Sequence, residues 1–94
     1  MKILETEGAK LLIDAVKNLN TDSEVKAFLT DLMTTKELLD MSQRMQVASL
    51  LRQGMVYSKI AEITGASTAT ISRVSRCYTY GEDGYKIVFE KQEK

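Results

Sequence analysis

Five side chains in the second half of the chain, Thr68, Ala69, Ser72, Arg73 and Arg76, recur at steps of three and four, with Ser67 at their start. On a helix that spacing gathers them on one side. Short hydroxyls and methyls let a helix approach base edges closely. Alanine and threonine can touch a thymine methyl, and arginine can take guanine O6 and N7 together. Ser58 and Lys59 precede this run, and Arg44 and Arg52 lie earlier still. The three basic side chains suit phosphate contacts, which fix register and carry no sequence information. No aspartate or glutamate falls between Gly65 and Tyr80, so nothing in the run repels a polyanion.

Such a face needs two short helices meeting at a sharp turn. A helix-turn-helix joins them through three or four residues that often include glycine. Gly65 can supply the positive φ of the turn, Ala61 the small side chain of a close crossing, and Ile60, Ile71 and Val74 the inner faces. The spacing predicts helices over Tyr57 to Thr64 and from Ser67 to about Tyr78. The same pattern also describes an ordinary αα-hairpin, in which Ser67 and Thr68 are helix caps and the arginines a solvated face.

The net charge is zero, but it is segregated. Residues 1 to 40 carry five lysines against eight acids, residues 41 to 80 five basic residues against Glu62 alone, and residues 81 to 94 three lysines against four acids. A positive field over one segment attracts a polyanion to one face. With no histidine and only Cys77 as a thiol, the usual zinc ligand sets and any intrachain disulfide are excluded. Cys77 is expected to be a small packing residue rather than a redox centre. Tyr57, Tyr78, Tyr80 and Tyr85 are spaced irregularly and read as packing at the domain edge, not as a stacking platform for unpaired bases. No apolar run reaches the roughly 18 residues of a membrane span. Met1 to Asn20 alternates charge with leucine, so a cytoplasmic chain without a signal peptide is expected.

Ninety-four residues make one domain with a thin core. Leu12, Ala15, Val16 and Leu19 outline a first helix reaching back through Leu4 and Ile3. Thr21-Asp22-Ser23-Glu24 and Thr34-Thr35-Lys36-Glu37 both match the capping box and should each open a helix. Val25, Phe28, Leu29, Leu32 and Met33 then form one stripe. Leu38, Met41, Met45, Ala48 and Leu51 form another, over Thr35 to Gln53, ended by Gly54. After Gly81-Glu82-Asp83-Gly84, the spacing of Tyr85, Val88 and Phe89 favours a last helix, although the alternation of Tyr85, Ile87 and Phe89 also suits a strand.

The stretch GASTATISRVSRCYTYGEDGY, Gly65 to Tyr85, closely resembles the tryptophan repressor superfamily and its YerC/YecD-like branch. The likeness is strong from about Leu38 to Tyr85, and the helix order matches along the whole chain. It implies an all-α fold of six helices in an intertwined homodimer that presents two helix-turn-helix units. Residues 1–53 would supply the dimerisation helices, 55–78 the helix-turn-helix, and 79–94 the turn and C-terminal helix. In the tryptophan repressor the ligand pocket uses an arginine of the long third helix, and an arginine followed by glycine, then a serine, in the reading helix. Arg73 matches the second arginine. Gln43, Val74 and Cys77 stand at the other three positions, and Arg44 is displaced by about 100° around the helix. Valine brings branched bulk where an indole would need space, so no cofactor is expected, tryptophan included. Another small effector is left open.

The sequence thus points to a regulator that binds duplex DNA as a homodimer, probing with Ser58, Lys59, Ser67, Thr68, Ala69, Ser72, Arg73 and Arg76, without metal or membrane. A helical protein-interaction or small-molecule-sensing dimer is the alternative. A transposase module would normally be attached to a catalytic domain, and none is encoded. An enzyme would need histidine, a phosphate-binding glycine motif, or a nucleophile with its base, none of which is evident.

Overall fold

The computed structural model describes residues 1–93, which hold six α-helices and no strand. They are α1 (Glu7–Lys17), α2 (Asp22–Leu32), α3 (Thr35–Arg52), α4 (Tyr57–Thr64), α5 (Thr68–Tyr80) and α6 (Gly84–Gln92). The strand alternative for the last segment is therefore set aside. The chain divides into two compact units after Thr35, so α3 is grouped with the helix-turn-helix and not with α1 and α2.

In the first unit the leading helix is shorter than its apolar spacing suggests. Lys2–Glu5 form a separate 3-10 turn, and Thr6 is extended at φ −70° and ψ 156°. The cause is a cap: Thr6 Oγ1 accepts from the Ala9 N–H at 3.2 Å and donates to the Ile3 carbonyl at 3.0 Å. At α2 the capping box forms, with Thr21 Oγ1 accepting from the Glu24 N–H and Glu24 Oε1 accepting from the N–H groups of Asn20 and Thr21. Met33, placed on the α2 stripe by its spacing, is extended and lies outside the helix. None of the described residues of this unit is buried, and Ile3, Leu4, Leu11, Val16 and Leu32 all stand open.

The core lies in the second unit, where Val47, Ala48, Ile60, Ala66, Ile71, Val74 and Phe89 are buried together. Leu50, Leu51, Met55, Ala61, Tyr78 and Tyr85 pack around them. On α3 the buried side runs through Val47, Ala48 and Leu51, while Met41 and Met45 are exposed. At about 100° per residue, Met41 and Met45 lie only about 20° and 60° around α3 from Ala48, so their exposure comes from lying nearer its N-terminal end and not from facing another way. Of the stripe expected to be core, Ala48 is buried, Leu38 and Leu51 are half-buried, and the two methionines are exposed.

α3 ends in a Schellman motif: the Met55 N–H donates to the Leu50 carbonyl, the Gly54 N–H to the Leu51 carbonyl, and Gly54 sits at φ 81°. Gly65, ending α4, sits at φ 72°. At the last turn the left-handed residue is neither glycine but Asp83, φ 62°. Aspartate tolerates that region better than most side chains. At Gly65 a Cβ would meet no neighbour, so the backbone conformation alone sets the requirement. Gly65→Ala is expected to lower stability by about 1–2 kcal/mol and Gly65→Asn by less, as read from urea unfolding midpoints.

Candidate nucleic-acid interface

The turn between α4 and α5 is closed by its own polar groups. Thr64 Oγ1 donates to the Ile60 carbonyl at 2.7 Å and accepts from the Ala66 N–H at 3.1 Å. Ala66 is buried beneath it. Ser67 is extended and caps α5: its Oγ accepts from the Thr70 N–H and donates to Thr70 Oγ1, both at 3.1 Å. Gln43 of α3 braces the same corner, its Nε2 donating to the Thr64 carbonyl at 3.3 Å. Ile60, Ile71 and Val74 then lock the two helices at their inner faces. Ala66 and the Gln43 bond were not singled out in the sequence. A small residue directly after the turn glycine is the signal that could have found Ala66.

With Ile71 and Val74 turned in, the rest of α5 is assigned by helical rotation. Thr68, Ala69, Arg73 and Arg76 are exposed, and Ser72 is half-buried at the edge of the face. Ser67 is exposed as well, although its hydroxyl is engaged in the cap. Ser58 and Lys59 are exposed on the first turn of α4, and Lys59 Nζ lies 3.6 Å from Glu62 Oε1. An exposed pair of that kind contributes little and yields readily to a phosphate.

Two basic residues expected to face phosphates are occupied otherwise. Arg44 is half-buried and its Nη1 lies 3.7 Å from Met41 Sδ. Arg52 is bound on three sides. Its Nε and Nη2 donate to the two carboxylate oxygens of Glu93 at 2.7 and 3.3 Å, and Nη1 donates to Tyr78 Oη at 2.9 Å. Arg52, expected to face phosphates, is thus engaged within the chain by a carboxylate and a phenol. Cys77, expected to pack, is exposed: it lies about 60° around α5 from Val74, at the margin of the buried side, and nothing covers it. The tyrosines divide: Tyr78 and Tyr85 stack at 6.5 Å and pack against the core, whereas Tyr57 and Tyr80 are exposed.

Val74 is 2% exposed and forms part of the core. Gln43 is spent on Thr64, beside an open cleft of about 340 Å³ also lined by Leu39, Asp40, Ser42 and Gln46. Among the described residues no cluster of side chains could hold a metal ion, and no helix is long and apolar enough to cross a membrane.

An all-helical chain with a glycine-turned helix pair, and an outer face bearing arginine and no acid, is a helix-turn-helix protein by class. Comparison with known proteins gives the family. The family model described as Trp repressor protein matches residues 7–93. The chain is 42% identical over 93 residues to the uncharacterized protein YerC of Bacillus subtilis (strain 168), covering 97% of this chain and 89% of YerC. A TrpR-like protein from Eubacterium eligens superposes with a TM-score of 0.92 at 45% identity, over 99% of this chain and 96% of the other. A candidate Trp repressor from Staphylococcus aureus gives 0.90 at 38% identity, over 98% and 92%. The chain belongs to the Trp repressor family, a family of DNA-binding regulators and not of enzymes.

The Arg52 bond holds the Glu93 carboxyl below its ordinary range, and Glu93 with Tyr78 pushes the Arg52 guanidinium up. A carboxyl whose folded pKa is depressed stabilises the fold above its unfolded pKa and loses that contribution as pH falls through the folded value. The difference in urea midpoint between the parent and Glu93→Gln should accordingly be full at neutral pH and vanish in acid, below the ordinary glutamate range of about 4.

Proposed function

We propose that the chain is a transcriptional regulator, of the repressor kind, that binds specific duplex DNA as a homodimer through α5. The observation that carries the reading is the division of that one helix: Ile71 and Val74 are buried, while Thr68, Ala69, Arg73 and Arg76 stand free with no acid beside them. Arg73 and Arg76 have the reach and fork geometry for guanine, and Thr68 and Ala69 suit thymine methyls. Ser58, Lys59 and Ser67 flank these residues and serve the sugar–phosphate backbone, with Ser72 at the margin.

Support for the homodimer comes from Met1–Thr35. A unit of two helices with no buried residue and a succession of open aliphatic side chains has unused apolar surface of the kind that marks an interaction site. A second copy would cover it, and paired reading helices would then match two half-sites one DNA turn apart. Such a regulator works in the cytoplasm, where the chromosome is accessible to it. Free tryptophan is not its effector: the residue at the glycine position is a buried valine, and the residue at the first arginine position has no charge and is already bonded.

The test is selection of duplexes from a random pool by the purified protein, followed by fluorescence anisotropy on the recovered sequence. A palindromic site is expected, with log K falling against log salt by about 0.9 for each phosphate neutralised. Arg73→Ala and Arg76→Ala should each weaken that site by about fivefold to a hundredfold and leave the dimer intact by sedimentation. Absence of retention on any duplex would favour the interaction-module reading instead. In calorimetry, titration of free tryptophan should give no saturable heat. Tight binding would mean that Val74 yields and that the ligand site is retained.

A further inference from the structure

Arg52 closes α3, and its guanidinium touches both α5 and α6. Glu93 takes Nε and Nη2, Tyr78 takes Nη1, and the guanidinium carbon lies 5.7 Å from the centroid of the Phe89 ring. Tyr78 also stacks with Tyr85 at 6.5 Å, and Lys86 Nζ lies 5.5 Å from its ring centroid. Arg52 is 27% exposed and Glu93 58%. An isolated pair at that exposure contributes little to stability, and Ile60, Ile71 and Val74 already anchor α5 to the core. The planar fork does something the core contacts do not, since it ties the C-terminal end of α5 in a fixed direction.

That direction matters because of the length of α5. Its buried residues, Ile71 and Val74, lie midway between Thr68 and the half-buried Tyr78. At 1.5 Å per residue each end is about 7 to 8 Å from this pivot. A tilt of about 10° would move the Thr68 end by about an ångström, enough to spoil hydrogen bonds to base edges, which weaken steeply with distance and angle. Phosphate contacts made by long, flexible side chains would survive the same tilt. Tyr78 follows Arg76 by two residues, about 200° around the helix, so the clasp grips the back of α5 and leaves its outer face clear.

We propose that Arg52, clasped by Glu93 and Tyr78, is a positioning residue that sets the tilt of α5 and thereby how strongly the protein prefers its own site over other DNA. This inference rests on α5 being the reading helix. Glu93→Gln in the full-length chain separates the clasp from simple charge effects. Removing an acid raises the net positive charge, and long-range electrostatics alone would tighten every duplex. The clasp requires the opposite at the specific site. Against a palindrome selected by the parent, Glu93→Gln should bind about tenfold more weakly. Against a scrambled duplex of equal length it should bind as well as the parent or better.

Tyr78→Phe removes one arm without changing charge and should lower the same ratio by a smaller factor. It carries the test alone if far-UV circular dichroism shows that Glu93→Gln has lost helix. An unchanged or raised preference for the palindrome in the folded variants overturns the clasp and leaves the reading of α5 standing. A parent that prefers no duplex overturns both.

Discussion

The arrangement depends on one buried contact, the seam of Ile60 against Ile71 and Val74 with Ala66 beneath the turn. Because those side chains are committed inward, helical rotation fixes which residues of α5 remain outside, and Thr68, Ala69, Arg73 and Arg76 follow from it without any further interaction. Gly65 lets the chain reverse at φ 72°, and Thr64 and Ser67 satisfy the backbone groups that the reversal would otherwise orphan. The outer face is therefore a product of the inner one.

The two units treat apolar residues differently, and the difference has a physical cause. In the second unit four helices contribute to one core, so Val47, Ala48 and Ile60 can be fully enclosed. In the first, two helices of eleven residues and one 3-10 turn cannot surround anything by themselves, and their aliphatic side chains stay open although their spacing is as regular as any in the chain. Periodicity reports that a helix has an apolar side. It does not report whether the cover for that side comes from the same chain. The α3 stripe, buried at Ala48 and exposed at Met41 and Met45, is the same lesson within one helix.

Membership of the Trp repressor family and the particular residues of this chain give complementary information. The family supplies the class, a DNA-binding regulator. The residues supply what is individual: a valine in the core where the tryptophan repressor has glycine, a glutamine tied to the end of α4 where it has arginine, and an arginine clasped by Tyr78 and Glu93. Each of the three is engaged by contacts within the chain.

The sequence by itself determined the first five helices, most of their ends and which residues of α5 face outward. Those features are local: caps act over three or four residues, a left-handed glycine ends the helix it follows, and the apolar spacing of one helix fixes its own inner side. Gly54, Gly65, Ser67 and the Thr21 box could all be read in this way. Only the tertiary structure decided the fate of Arg52, Gln43, Cys77 and the two α3 methionines. Arg52 meets Glu93 across 41 residues and Gln43 meets Thr64 across 21. No pattern of neighbouring residues encodes a partner at that separation, because it is brought within hydrogen-bond range only after the core has packed.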